Sequence, residues 1–155
     1  MPGASPCRRG GVLSESITVD SPGRLSDIVD LIHDCWFSLD ETTFSKDTGI
    51  VEIPFARSMD KNRKVVSRLA LLKVVEVPVV RAILRIHHVR EFAIQETENI
   101  RRYDFNTIIF DPERKELRIL TGIPVDLRAQ INEFRIDLEV TEIVLRHERR
   151  LAFFS

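Results

Sequence analysis

The residues best equipped for chemistry stand together as His33, Asp34, Cys35 and Trp36. An imidazole, a carboxylate and a thiol could act as a base, an orienting acid and a nucleophile. Apolar spacing predicts a helix from about Ser26 to Trp36, on which consecutive side chains point about 100 degrees apart. These groups therefore cannot all face one ligand unless the helix ends there. In the competing structural interpretation, the histidine bonds a backbone or carboxylate group, the aspartate caps the helix exit, and the cysteine and tryptophan lie in the core.

The other histidines do not form a metal site by their spacing. His87 and His88 are neighbours on a predicted strand, where side chains point to opposite faces, so they cannot share one ion. A zinc site needs three or four ligands, and His33 or His147 would have to approach from another element. The sequence shows no glycine-rich phosphate loop and no cysteine pair at metal spacing. It also has no serine or cysteine nucleophile within a recognisable catalytic motif. We therefore predict no metal, no cofactor and no catalytic residue, which favours a protein that is not an enzyme.

Composition favours an ordinary globular domain, with 43% hydrophobic and 30% charged residues in a chain of 155. The net charge of −1 provides no overall field that would attract nucleic acid. The most apolar stretch, Leu69 to Leu84, is broken by charged residues and Pro78, so we expect no membrane span. Cys7 and Cys35 are poorly placed for a disulfide, which favours a reduced cytoplasmic location.

The distribution of proline, glycine and charged residues indicates the domain organisation. Residues 1–23 are rich in proline and glycine and predict a disordered leader, with a weak edge strand from Val12 to Val19 as the alternative. Residues 24–155 then form one domain. The basic clusters at Arg57 to Lys64 and Arg146 to Arg150 are interpreted as solvated surface, because charge runs usually are.

Alternating apolar and polar residues from Val79 to Thr141 predict β-strands with one face on a core. The clearest case is the segment from Phe134 to Thr141. The run Val65 to Val77 is apolar on both faces, and Pro78 should end or bend it. Glu142 to Arg150 fits either a C-terminal helix or a last strand. The predicted fold is α+β and mainly antiparallel β, with about seven strands in a sandwich or partly open barrel and one N-terminal helix.

The order of these segments resembles that of small bacterial β-rich domains. The resemblance covers about Leu25 to Val140 and rests on the helix, the His33-Asp34-Cys35 motif, a strand pair, and the segments Leu84 to Val89 and Phe134 to Glu139. Some such domains are immunity proteins of polymorphic toxin systems. The resemblance implies an antiparallel β-fold and, for some members, binding to a toxin.

Two functional hypotheses follow. The first is a non-enzymatic protein-binding scaffold, whose partner is another protein or a second copy of the chain. Its candidate interface is Val74, Val77 and Val79, in the apolar run near Pro78. The alternative is a small-molecule or metal-binding domain, with a pocket at the helix–sheet junction lined by His33, Asp34 and Trp36.

Overall fold

The computed structural model describes residues 15–69 and 71–153. This part of the chain contains one α-helix, α1 at Leu25–Ile32, and short 3₁₀ turns at Pro22–Arg24, Leu39–Glu41 and Asp60–Asn62. The strands are β1 Glu15–Val19, β2 Trp36–Ser38, β3 Thr43–Ser45, β4 Ile50–Ser58, β5 Lys64–Leu69, β6 Leu72–Ile86, β7 Val89–Gln95, β8 Arg102–Asp111, β9 Glu116–Thr121, β10 Asp126–Ile131 and β11 Ile136–Phe153.

The described strands pair antiparallel in an open sheet. Its main order is β1-β11-β6-β4-β2-β8-β9-β10-β7, with β3 added to β4 and β5 added to β6. The predicted antiparallel β-fold with an N-terminal helix is therefore confirmed. The prediction of about seven strands in a sandwich or partly open barrel is wrong, since the described chain has eleven strands in an open sheet.

Local features account for the larger number of strands. The apolar run that begins near Val65 is a hairpin of β5 and β6, in which Leu69 pairs with Leu72. His88 has a φ of 57°, a left-handed conformation that ends β6 before β7 begins. β2 and β3 have only three residues each, too few for a period of two to show in the sequence.

Strand β6 runs through Pro78 without a break, against our expectation. On one side of β6, Pro78 lies between the end of its pairing with β4 at Val79 and the start of its pairing with β5 at Glu76. The carbonyl of Pro78 accepts a 2.9 Å hydrogen bond from Met59 on this side. The carbonyl and nitrogen of one strand residue point the same way, so the missing N–H of Pro78 faces this gap and no ladder bond is lost.

The core is shared by α1 and strands from both ends of the sheet. Its centre is Phe105, which is fully buried and lies 4.3 Å from Phe37 and 5.3 Å from Phe55, measured between ring centroids. The edge strand β7 contacts the turn before β4, where the Val89 amide donates to the Gly49 carbonyl over 2.8 Å. Gly49 has a φ of 69°, a left-handed conformation that glycine adopts without steric strain.

The two ends of the described chain lie side by side, because β1 pairs with β11. The alternative of an N-terminal edge strand is confirmed for Glu15–Val19, whose Val19 is fully buried, while residues 1–14 lie outside the described part. Residues 15–19 of the predicted leader therefore belong to the sheet. Of the two alternatives for the C-terminal segment, the strand is confirmed.

Among the described residues, no helix has the length and apolar character needed to cross a membrane.

Candidate functional site

The segment after α1 is positioned by strand β8. The helix begins at Leu25, close to the predicted start, and ends at Ile32, four residues earlier than predicted. The Asp34 amide donates to the Phe105 carbonyl over 2.8 Å, and the Phe105 amide donates to the Cys35 carbonyl over 2.9 Å. Asp34 takes a φ of 66°, which turns the chain from the helix into β2. His33, Asp34 and Cys35 therefore lie on a turn, and the helical geometry that separated their side chains does not apply.

A hydrogen bond from a ring nitrogen of His33 holds this side chain in place. Its Nδ1 lies 2.8 Å from the Asn106 carbonyl oxygen, so it carries the proton and donates to that oxygen. Its Nε2 lies 3.5 Å from a carboxylate oxygen of Asp34. This is the backbone contact that the structural interpretation predicted for His33. It leaves the Nε2 edge, about half exposed, on the surface of the turn.

Cys35 and Trp36 differ in their exposure. Cys35 is partly buried, and burial raises the pKa of its thiol, although the nearby Arg57 guanidinium acts in the opposite direction. A thiol with a raised pKa is protonated at neutral pH and is a poor nucleophile. Trp36 is 44% exposed, so its predicted place in the core is wrong. An exposed tryptophan presents a large flat surface for contact.

Two arginines on β11 lie near this turn and line one cleft with it. Arg150 donates to the Asp60 carboxylate over 2.9 Å and to the Ser58 hydroxyl over 2.8 Å. Arg146 pairs with Glu148 at 3.1 Å. These ion pairs are partly exposed, so they orient the side chains and add little to stability.

These elements enclose a cleft of about 670 Å³, which we call the turn cleft. It brings together all three predicted pocket residues, His33, Asp34 and Trp36, with Cys35 beside them. The turn cleft is also lined by Arg57, Ser58, Asp60, Val79, Arg146, Glu148 and Arg150. A second cleft of about 380 Å³ shares Trp36, Ala56 and Arg146 with the first. The turn cleft is within the usual size of small-molecule sites, but its lining is more charged than most.

Sequence reasoning missed most of this lining. Arg57 and Arg146 belong to the two basic clusters that we interpreted as solvated surface, and both line the turn cleft. They are far apart in the sequence and converge only through the pairing of β4, β6 and β11. No spacing in the sequence could have revealed this proximity.

A partly exposed polar network ties the segment between β7 and β8 to the sheet. The Tyr103 hydroxyl donates to Glu96 over 2.6 Å, and Arg101 bridges Glu96 and Asp40, each over 2.8 Å. The hydrogen bond from Tyr103, with those from Arg101, lowers the pKa of Glu96 although burial opposes it. This carboxylate is ionised and fully engaged, so the network fits a structural role. Within residues 15–69 and 71–153, no three His, Cys, Asp or Glu side chains are grouped so as to hold a metal ion.

The predicted interface on β6 needs correction. Val77 and Val79 are only 1% and 2% exposed, and Val74 is partly buried, so the first two cannot meet a partner in this structure. Their pairing partners on β11, Glu148 and Arg146, carry long side chains on the same face. The exposed apolar side chains nearby are instead Val65, Val66, Leu71, Ile143, Val144, Leu145 and Leu151.

Within the described residues, strand β11 also has an edge without a partner strand. It pairs with β6 from Ile136 to Phe153, with bulges between Val140 and Arg146, but β1 covers its second side only from Ile136 to Val140. In the described part of the chain, no strand pairs with that side over residues 141–153. We call this side of residues 141–153 the open edge. At a rise of about 3.3 Å per residue it is roughly 40 Å long.

Comparisons with protein-family models, with curated proteins and with solved structures found no match for this chain.

Proposed function

We propose that this chain is a non-enzymatic protein-binding scaffold that pairs its open edge with an extended segment of polypeptide. The observation that carries the proposal is the unpaired second side of β11 over residues 141–153, seen within the described chain. Backbone N–H and C=O groups along such an edge are ready to bond an added strand, which is a common form of peptide recognition.

The side chains of the open edge support the proposal. Residues 141–153 contain no proline, so no backbone N–H group is missing along the open edge. Ile143 is 58% exposed and Leu151 is 69% exposed, so apolar surface is available near both ends. Between them, Arg146, Glu148 and Arg149 supply charges that would select among partners.

The resemblance to small bacterial β-rich domains adds a class of partner to the proposal. The helix, the His33-Asp34-Cys35 motif and the later strands occur in the order that the resemblance describes. Immunity proteins in that group work by binding a toxin, and an open edge is compatible with such binding.

The proposal is tested by selecting peptides from a displayed random library on the immobilised chain. The comparison is with the double variant Ile143→Lys, Leu151→Lys, which places charges on exposed positions of the open edge. We expect the wild type to enrich peptides with alternating apolar residues and the variant to lose them, with unchanged circular dichroism. Ile109→Lys is the matched control, because Ile109 is exposed on β8 and should leave selection unchanged. Equal enrichment by the double variant would contradict the proposal.

A second candidate function is small-molecule binding in the turn cleft. The observation in its favour is that His33, Asp34 and Trp36 line one cleft together with Arg57, which has no ion pair among the described residues. Guanidinium groups bind carboxylates and phosphates through charged hydrogen bonds. The proposed ligand class is therefore a small anion.

Thermal shift with a panel of carboxylates and phosphates tests this candidate. We expect stabilisation of the wild type and loss of the shift in Arg57→Gln, with His88→Ala as a control at a distant exposed histidine. No shift with any compound, or an equal shift in Arg57→Gln, would count against the turn cleft as an anion site.

A further inference from the structure

We propose that the open edge of β11 pairs antiparallel with the open edge of a second copy of this chain, in a register centred on His147. The inference rests on the proposed function and names its partner. The pairing would extend the sheet through a two-fold axis, so that both subunits use the same residues, as in most homodimers.

Charge complementarity selects this register. In an antiparallel pair centred on His147, Arg146 of each chain lies directly opposite Glu148 of the other. Residues directly opposite each other share a face of the sheet, so these four groups would form one network of alternating charge. A shift by one or two residues towards the C-terminus would oppose Arg146 with Arg149 or Arg150, and like charges in this position repel.

Apolar side chains agree with the same register. With His147 at the centre, Leu151 of each chain lies against the bulged segment of the other chain that contains Ile143, and the contact occurs twice. Both side chains are more than half exposed in the single chain, at 58% and 69%. Pairing them would remove apolar surface from water at both ends of the interface.

The proposed dimer also affects the turn cleft. Arg146 and Glu148 both line this cleft and already pair within the chain at 3.1 Å. In the dimer, Glu148 of the partner subunit would lie beside Arg146 on the same face of the sheet. Two turn clefts would then be arranged around the two-fold axis, with residues of both subunits at their common border.

A charge exchange between two variants tests the register. Arg146→Glu places two glutamates opposite each other in the proposed dimer, and Glu148→Arg places two arginines opposite each other. We expect each variant alone to be a monomer at concentrations where the wild type is a dimer by analytical ultracentrifugation. When the two variants are mixed, each glutamate again meets an arginine, so we expect a heterodimer, which native mass spectrometry identifies by its mass.

The backbone distance at the centre provides an independent measurement. In a background that carries Cys7→Ser and Cys35→Ser, His147→Cys should form an intermolecular disulfide under a glutathione redox buffer, because directly opposed residues are about 4.5–5.5 Å apart. Ile143→Cys is the matched control, since the two copies of residue 143 would lie roughly 26 Å apart in this register. We expect cross-linking at least tenfold faster for His147→Cys.

Several results would overturn the dimer. They are a wild type that stays monomeric at all concentrations, a mixture of the charge variants without heterodimer, or equal cross-linking at positions 143 and 147. A monomeric wild type that still selects peptides through the open edge would reject the dimer and leave the proposed function standing. A monomer that also selects no peptides would reject both.

Discussion

At the scale of single residues, the turn after α1 shows how neighbours change the chemistry of a side chain. Cys35 has a raised pKa because burial disfavours its thiolate, and the nearby Asp34 carboxylate adds to this effect. Arg57 opposes both by favouring the negative charge. The set of residues that first suggested nucleophilic catalysis therefore holds a protonated thiol and a histidine bonded to a backbone carbonyl.

We predict that Cys35 reacts slowly with iodoacetamide at pH 8. In a Cys7→Ser variant, its rate should be on the order of tenfold below that of the same chain unfolded in urea, since both burial and the raised pKa reduce accessible thiolate. Arg57→Gln should slow the reaction further, because it removes the charge that lowers this pKa. Mass spectrometry of the alkylated protein measures both rates. A folded-state rate equal to that of the unfolded chain would contradict the prediction.

At the scale of elements, polar contacts hold β11 against β6 and β4. Arg85 on β6 donates to Glu52 on β4 over 2.6 Å and to Glu139 on β11 over 2.9 Å. Next to this bridge, His87 lies 2.7 Å from the Asp137 carboxylate, and both side chains are mostly buried. These contacts lie on the face of the sheet opposite the core and join three neighbouring strands.

Asp137 gives a pH-dependent prediction for this face. Burial by itself would raise the pKa of Asp137, but hydrogen bonds from Thr18 and His87, with the charges of His87 and Arg135, lower it overall. We expect Asp137→Asn to reduce the free energy of unfolding by about 1–3 kcal/mol at pH 6, because it weakens charged hydrogen bonds at a mostly buried site.

The pH dependence of this loss follows from the lowered pKa. A carboxyl with a lowered pKa in the folded state stabilises the protein above the unfolded value of about 4 and loses this effect as pH falls through the folded value. The difference between wild type and variant in urea unfolding should therefore shrink as the pH falls below about 4. Asp27→Asn, at an exposed position on α1, is the control and should change stability little. A difference independent of pH would contradict this explanation.

At the scale of the whole molecule, one core joins α1 to strands from both ends of the sheet. Its aromatic centre unites β2, β4 and β8 through Phe37, Phe55 and Phe105. The hydrogen bond between Val89 and Gly49 joins the start of β7 to the turn before β4, beside this core. Loss of packing at the centre should therefore weaken the entire fold at once.

We predict that Phe105→Ala destabilises the protein by about 3–5 kcal/mol, the usual cost of removing a buried aromatic ring. Ile109→Ala on the same strand should cost less than about 1 kcal/mol, because Ile109 is exposed. Denaturant unfolding monitored by circular dichroism measures both. Similar values for the two variants would show that Phe105 is not at the centre of the core.

The sequence predicted those parts of the fold that depend on local pattern. Alternation placed Ile136, Leu138 and Val140 on the buried side of β11, and the structure buries all three. The early end of α1 was not predictable, because it depends on bonds between the segment at Asp34 and a distant residue, Phe105. The turn cleft was only partly predictable. The residue types on the turn indicated a possible site in the sequence. The residues on β11 join them only because strands distant in the sequence pair with each other.

The position of β6 has a consequence for synthesis on the ribosome. This strand lies inside the sheet, between β4 and β11, yet Ile136 on β11 follows its partner Ile86 by about fifty residues. At about 5–20 residues per second, roughly 3–10 s pass between the synthesis of β6 and the synthesis of the strand that covers its second side. During that interval, a nascent chain exposes the Val74 to Ile86 segment to chaperones and to neighbouring nascent chains. Yield in the cell should therefore depend on translation speed between β6 and β11.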